Sequence, residues 1–458
     1  MSGVIKIKKG LNINLVGESE KIYSQIGSPN YVSIKPSDFT YLTPKMQVKV
    51  GDEVLAGDLV FVDKDKPTTG VASPVSGEIT EIIRGEKRKI LEVKILADKE
   101  IRYKDFGSAT PSKMSREEIL TRLSESGALA FFVERPFGGT VNADVAPRDI
   151  FVTGFDSNPL AADFDFALHG KEELVKTALE ALAKLTEGTV YVGVSSKAGH
   201  GAIFEKSRGL EHVEFNSFQG QHPVGNVGVQ IHATKPINKG ETVWTMSAYD
   251  LAIVGGVFTE GKFDASRNVA VAGPGVKAPK YIKTIIGAPI NDIVSGNVHD
   301  DKEYRLVSGS PLTGTQVTKE GNLGYFDSQV VALEEGHSPK FVATEGWLSL
   351  GFKRFSASRA YPTWLLGRNK QYNIDTNVNG EHRSFVVSGQ YEKVFPFNIY
   401  PVHLLKAIMA NDIEAQEALG IYEVLPEDFA LCDFVCTSKI DAQVILADGL
   451  KSLRAELG

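Results

Sequence analysis

Between Ile150 and Val194 the chain runs strand, helix, strand, and that succession constrains the fold more than any other stretch of the sequence. Ile150-Phe151-Val152-Thr153-Gly154-Phe155 reads as a buried strand ending at glycine. Lys171 to Leu185 follows with Leu174, Ala178, Ala181, Leu182 and Leu185 on one helical face, and Thr189 to Val194 is strand-like again. A right-handed crossover makes the two strands parallel, so an α/β domain is expected over residues 111–255. Residues 1–105 have a different texture. Short alternating runs such as Met46 to Val50 and Glu78 to Ile83 are cut by Gly51-Asp52-Glu53 and Ser73-Pro74-Val75-Ser76-Gly77, which predicts a small all-β unit whose last strand is Ile90 to Leu96. Ser108 to Ser112 reads as a linker, and Ser115-Arg116-Glu117-Glu118 as an N-cap leading into the helix Ile119 to Ser124. Asn268 to Val317 is β-rich and glycine-punctuated, predicting a small α+β insert within 256–330. Residues 331–458 end in a helical domain, with apolar faces on Val402 to Ala410, Ile413 to Leu419 and Asp441 to Leu457. At roughly 150 residues per domain, 458 residues suggest about three units. Separating the insert and the helical tail gives a four-part α/β multidomain chain.

Composition narrows the class of function. The 50 Lys and Arg against 57 Asp and Glu leave a formal charge of −7, and no block of basic residues with interleaved aromatics suggests a nucleic-acid groove. The most apolar run, Leu251 to Phe258, is far shorter than the roughly 20 residues that span a bilayer as a helix. Met1 to Lys6 lacks the apolar core and cleavage site of a secretory signal. Two cysteines, Cys432 and Cys436, rule out a disulfide framework and fit a reducing compartment, so a cytoplasmic location is expected. Four residues apart, they read as small buried hydrophobes or a relic, with a cluster shared between subunits as the alternative, since an iron–sulfur cluster takes four protein ligands and this chain has two cysteines.

Several motifs invite chemistry. Lys49 to Val54, Gly57 to Val60 and Ser73 to Ile79 follow the grammar of lipoyl and biotinyl carrier domains, and Lys66 stands seven residues before Ser73, where a lipoyl lysine would stand. The alternatives are a swinging arm on Lys66 or a barrel-sandwich used as a structural module, and Pro67 after the lysine favours the second. Gly273-Pro274-Gly275-Val276-Lys277-Ala278 matches a dinucleotide fingerprint, but the segment after it lacks helical periodicity. No phosphate-binding G-x-x-x-x-G-K-[S/T] run exists. The segment Gly220 to His232 packs two histidines and three glycines into thirteen residues. Glycine permits close approach of a ligand, and a neutral imidazole can hydrogen-bond a quinone or flavin carbonyl. His222, Pro223, Gly225, Gly228 and His232 are therefore the candidate quinone contacts, set against a plain glycine turn capped by histidines. No metal site and no catalytic residue is expected. Gly336-His337 and His299-Asp300-Asp301 read as solvated loops.

Further residues carry a family resemblance. Ile5 to Leu11, Val50 to Val54, Asp156-Ser157-Asn158-Pro159-Leu160-Ala161-Ala162, His222-Pro223 with Gly225 and Gly228, Ile286-Gly287-Ala288, Ser308 to Thr315 and Ala430 to Cys436 appear in one order along the chain. In these the chain resembles the NqrA family, the A subunits of the Na⁺-translocating NADH:quinone reductases, bacterial respiratory pumps, over essentially its whole length. A more distant resemblance runs to the C subunit of the Rnf complex and the NADH-binding flavoprotein subunit of complex I. It implies a lipoyl-like barrel-sandwich, a Rossmann-like domain, a β-grasp insert of the SLBB kind around Ile286 to Ile293, and a helical domain. In that superfamily a glycine-rich loop holds FMN phosphate, an acidic segment follows the next strand, and cysteines carry iron–sulfur. Here Arg135-Pro136-Phe137-Gly138-Gly139-Thr140 keeps two glycines, Asp156 to Pro159 keeps little of the acidic segment, and two cysteines remain. A flavin phosphate would lose several charge-assisted hydrogen bonds of about 1.5–3 kcal/mol each.

The resemblance thus implies a peripheral subunit on the cytoplasmic face of the bacterial inner membrane, inactive when isolated and without a cofactor of its own. NADH, FAD, FMN and iron–sulfur are expected in partner subunits, integral membrane subunits among them, with a quinone contact on this chain. Two other readings stay open: a carrier protein modified on Lys66, and a stand-alone flavin- or NADH-dependent oxidoreductase.

Overall fold

The computed structural model describes residues 3–337, 348, 350–357, 361–366 and 369–457. Met1, Ser2 and part of the expected C-terminal unit lie outside the described residues.

The protein is a mixed α/β multidomain chain with an N-terminal barrel-sandwich and a helical C-terminal region. The barrel-sandwich faces a sheet of Tyr31–Ile34, Ile90–Ala97, Gly77–Arg84 and Glu53–Val54 against a second of Pro44–Met46, Leu59–Asp63 and Gly70–Ala72. Alternation puts Val32, Ile79, Val93 and Ile95 inside, and the bulged strand Leu59–Asp63 turns the consecutive Val60 and Phe61 inward, all of them fully buried. Ser115 caps the next helix, Arg116–Glu125, in a reciprocal box: its hydroxyl accepts the Glu118 N–H at 3.2 Å, and Glu118 accepts the Ser115 N–H at 2.7 Å.

The strand and helix pattern near residue 150 builds a seven-stranded sheet. Ile150–Thr153 pairs in parallel with Val190–Ser195, which pairs in parallel with Val213–Gln219, and Val243–Ser247 then returns to the other side of Ile150–Thr153. The order in which strands are added to the sheet therefore reverses between Ile150–Thr153 and Val243–Ser247, which run parallel. Val133–Arg135 and Gly139–Thr140 extend this side as antiparallel strands. On the far edge Ile5–Lys6 adds in parallel to Val213–Gln219, so the first strand of the chain sits in this sheet and not in the barrel-sandwich. The helices Glu172–Ala183 and Leu251–Thr259 pack on each other. They approach closely because Gly255 has no side chain: a β-carbon there would fall 1.9 Å from the Leu174 carbonyl oxygen. The most apolar run in the sequence is thus a buried helix.

A six-stranded sheet follows, ordered Thr315–Val317, Tyr304–Ser308, Gln329–Glu334, Ser266–Ala272, Lys280–Ile285 and Glu20–Gln25. Glu20–Gln25 is again borrowed from the N-terminus, parallel to Lys280–Ile285. After Ala272 the chain turns at Gly273 and enters the strand Lys280–Ile285, so no helix follows the glycines of the apparent dinucleotide fingerprint. Phe39, Phe131 and Tyr325, from three units, share one aromatic cluster with ring centroids 4.8–5.3 Å apart. The buried Arg267 guanidinium donates to Asp250 at 2.5 Å, tying this sheet to the α/β domain.

Toward the C-terminus, Pro401–Met409, Ile413–Ala418, Ala430–Val435 and Ala442–Leu457 bury Leu404, Leu405, Leu446, Leu450 and Leu453. Both cysteines belong to this core. Cys436 Sγ accepts from Tyr391 Oη at 3.0 Å and from the Ile440 N–H at 3.3 Å, and burial pushes the Cys432 thiol up. None of the helices among the described residues is long and apolar enough to cross a membrane.

Candidate functional site

In an open parallel sheet the loops at the carboxyl ends of the strands border the crevice where ligands bind. Here those loops, Gly154 to Asp165, Ser195 to Lys197 and Phe218 to His222, wall a cleft of about 1970 Å³. Residues Gly10 to Leu15 and, from the C-terminal region, Phe355, Thr363, Tyr372 and Lys393 close its other sides.

His222 stands in this wall and is only 2% exposed. Its main chain is anchored on both sides: the N–H donates to Asn12 Oδ1 and the carbonyl accepts the Leu11 N–H, each at 2.8 Å. Its Nδ1 lies 3.0 Å from Ser157 Oγ, which accepts the Gly225 N–H at 2.8 Å. Burial drives the imidazole down to about 4, against the pull of the Ser157 backbone, so the ring is neutral at physiological pH. Its Nε2 is buried with no hydrogen-bond partner. A buried polar atom without a partner is rare in folded proteins and calls for a functional or structural explanation. Beside it, burial pushes the Asp156 carboxyl up, while Asn158 donates to it from both its backbone and side-chain nitrogens at 2.8 Å.

The other four predicted contacts lie elsewhere. Pro223, Gly225, Gly228 and His232 are absent from the cleft wall. Asn226 is followed by a helix, Val227–Thr234, where the sequence suggested a glycine turn. Its residues have modest helix propensity, and burial of Val229, Gln230 and Ile231 stabilises it. His232 is consumed as a clip to the C-terminal region. Its Nδ1 pairs with Glu423 Oε2 at 2.7 Å and its Nε2 accepts the Asn398 N–H at 3.1 Å. Sequence reasoning missed Ser157 as the partner of His222. The signal for it was its place in the loop just past a buried strand.

The loop that resembles a flavin-phosphate cradle does not fit that group. The Arg135 guanidinium donates to Glu427 at 2.6 Å and to Asp428 at 3.4 Å, and Asn226 Nδ2 donates to Asp428 at 3.3 Å. Asp428 thus occupies the start of the Val227–Thr234 helix, where an anion would sit, and a β-carbon at Gly228 would fall 2.5 Å from its Oδ2. Gly138 faces Leu425 and Gly139 faces Tyr41. A phosphate here would meet two carboxylates and an apolar cover.

Asp163, Asp165 and His200 bring possible metal ligands within 4.8 Å of one another at the cleft margin. The donors of the two carboxylates are already engaged. Asp163 pairs with Lys21 at 2.5 Å and caps a helix through the Phe166 N–H, while Asp165 accepts the Gly201 and Ile203 N–H groups at 2.7 and 3.0 Å. Lys66 is likewise not an extended arm: its Nζ donates to the Thr140 carbonyl and pairs with Glu134 at 3.2 Å, and its side chain is 19% exposed.

The chain matches three family models: one described as the NqrA N-terminal barrel-sandwich hybrid domain over residues 5–98, one as the NqrA second alpha/beta domain over 114–263, and one as the NQRA C-terminal domain over 268–319. It is similar along its whole length to curated proteins named as the A subunit of the Na(+)-translocating NADH-quinone reductase. The relative from Saccharophagus degradans is 34% identical over 456 residues, covering 99% of this chain and 100% of that one. Those from Pasteurella multocida and Vibrio parahaemolyticus are each 33% identical with the same coverage. Among solved structures, a NAD+-reducing NiFe hydrogenase superposes with a TM-score of 0.41 at 11% identity over 76% of this chain and 62% of the other, too loose a likeness to carry an argument.

Proposed function

The chain belongs to the NqrA family, the A subunits of the Na(+)-translocating NADH-quinone reductase, and from that premise we propose that it serves as a peripheral subunit without a redox cofactor of its own, meeting quinone at the His222 cleft. The observation that carries the quinone reading is the unpartnered Nε2 of a neutral histidine in the wall of a cleft at the carboxyl ends of a parallel sheet. A neutral imidazole offers one N–H and one lone pair. With Nδ1 engaged by Ser157, Nε2 is left to pair with a quinone carbonyl or a quinol hydroxyl, whichever proton arrangement the ring adopts, once the ligand displaces the groups that cover it. Ile13, Leu15 and Phe355 supply apolar surface in the same cleft for the ring.

The domain reading goes with it. The strand order, with Val243–Ser247 returning beside Ile150–Thr153, supports a Rossmann-like domain within 111–255, and the six-stranded sheet with its short helix Ile290–Val294 supports a β-grasp unit of the SLBB kind within 256–330. The barrel-sandwich would span 1–105 and the helical unit would close the 331–458 segment. The filled phosphate cradle supports an inactive isolated chain, with NADH, flavin and iron–sulfur chemistry in partner subunits. The absence of a spanning helix among the described residues supports docking to integral subunits at the cytoplasmic face. No nucleic-acid partner is proposed.

Titration of the purified chain with a short-tail ubiquinone, read by calorimetry, tests the site. His222→Phe is expected to weaken binding about 5- to 30-fold, the cost of about 1–2 kcal/mol for a lost ligand hydrogen bond. Equal affinity in both proteins, or no binding to the parent, would refute it.

A further inference from the structure

The Ser157 hydroxyl decides which ring nitrogen of His222 carries the proton. Its oxygen accepts the Gly225 N–H at 2.8 Å and lies 3.0 Å from His222 Nδ1. A hydroxyl has one hydrogen to give. Among the described residues Nδ1 is the one acceptor within its reach, so the hydrogen-bond network assigns that hydrogen to Nδ1. Burial keeps the ring neutral, and a neutral imidazole carries a single proton. With Nδ1 accepting, that proton sits on Nε2.

The arrangement is held from several sides. Thr153 Oγ1 reaches the Gly225 carbonyl at 2.8 Å, which fixes the residue whose N–H orients the hydroxyl. A β-carbon on Gly225 would fall 2.6 Å from the Ser157 nitrogen and 2.8 Å from its Oγ, so glycine is what lets the hydroxyl come this close. Asn12 and Leu11 anchor the main chain of His222 itself. One group pulls the other way: the Ser157 carbonyl favours a proton on the ring, yet it makes no hydrogen bond to either ring nitrogen. Nε2–H is then a buried donor with nothing to receive it. Such a group is costly to leave unpaired, and a ligand that brings an acceptor recovers the cost.

We propose that Ser157 is a positioning residue that fixes His222 as a hydrogen-bond donor, so that the cleft selects the oxidised quinone over the quinol. A quinone carbonyl only accepts and meets the N–H directly. A quinol oxygen carries its own hydrogen and shares its lone pair with the aromatic ring, which makes it the weaker acceptor. The selectivity rests on the quinone reading, whereas the proton arrangement of the ring can be observed without any ligand.

The first arm of the test is NMR of the purified full chain with its histidines labelled in heavy nitrogen, His222→Phe identifying the His222 signals. At neutral pH Nε2 is expected to be of the protonated, pyrrole type and Nδ1 of the bare, pyridine type. The reverse pattern overturns the proposal whatever the chain binds. In Ser157→Ala the backbone carbonyl of residue 157 is unopposed, and the proton is expected to move to Nδ1; an unchanged pattern overturns the role of Ser157. Should that variant not fold, the parent spectrum still decides. The second arm is calorimetry with a short-tail ubiquinone and with its quinol kept reduced. The quinone is expected to bind at least about fivefold more tightly, and Ser157→Ala to lose most of that preference. Equal affinity for the two redox forms overturns the selectivity. Binding of neither form, with the expected NMR pattern, refutes the quinone reading and the selectivity with it, and establishes Ser157 as the residue that sets the His222 proton.

Discussion

Replacing Arg135 by methionine offers a direct measure of how the C-terminal region is held to the α/β domain. The guanidinium side chain is 1% exposed and bridges two carboxylates that differ in kind: Asp428 is fully buried and Glu427 is 40% exposed. Water can take over solvation of Glu427, so that contact is worth about 1 kcal/mol or less. Asp428 has no such recourse. Once Arg135 is gone it keeps only the Leu425 N–H at 3.0 Å and the Asn226 amide at 3.3 Å, and a buried charge stripped of its partner costs about 3–5 kcal/mol. Arg135→Met combined with Asp428→Asn removes both charges while keeping an acceptor for the Leu425 N–H, so it should recover most of the loss, ending within about 1.5 kcal/mol of the parent. Hydrogen exchange suits the assay better than a single global melt, because a multidomain chain does not unfold in one step. Amides of Ala430–Val435 and Ala442–Leu457 should lose about two to four powers of ten in protection in the single variant and regain most of it in the double. A single variant that costs less than about 1 kcal/mol, or a double variant as unstable as the single, would refute the argument that Asp428 is the stranded charge.

Two further outcomes follow from local geometry. Gly255→Ala places a methyl against the Leu174 carbonyl and should destabilise by about 1–3 kcal/mol, whereas Gly256→Ala, whose nearest neighbour would be 3.5 Å away, should be neutral or slightly stabilising; paired thermal melts distinguish them. Asp38 is raised from 3.8 to about 6, chiefly by burial, then by Asp327, against the Tyr325 N–H and Lys35. The folded state therefore binds the proton more tightly than the unfolded one, and stability falls as pH rises from about 4 to about 6, by about 3 kcal/mol in total. Asp38→Asn keeps the acceptor for the Tyr325 N–H, so it should stabilise at pH 7 and lose that advantage below about pH 4; an equal effect at both pH values would contradict the assignment.

Much of the architecture was legible because its causes are local. The capping box at Ser115, the apolar face of Glu172–Ala183, the buried strand at Ile150 and the C-terminal helices each announce themselves within a few residues. The helix Val227–Thr234 was not legible, since two of its first residues, Val227 and Gly228, have poor intrinsic propensity and its stability comes from burial against distant residues. The strands Ile5–Lys6 and Glu20–Gln25 were read as part of the first unit for a related reason. A strand pattern specifies a face and not a partner, and both pair with segments about 200 or more residues away.

The candidate site divides the same way. That His222 stands among glycines, and that Gly138 and Gly139 survive from a loop resembling a phosphate cradle, are facts of sequence. Sequence alone also determined the family, the order of the units and the lack of any apolar run long enough to span a bilayer. Only the tertiary structure decided that His222 faces a cleft while His232 serves as a clip, that Asp428 fills the anion position, and that Lys66 is tied down. The physical reason is that propensity and periodicity act over one turn or one strand. Whether a histidine nitrogen or a lysine ammonium is free depends on which distant carboxylate or carbonyl the folded chain brings within about 3 Å of it.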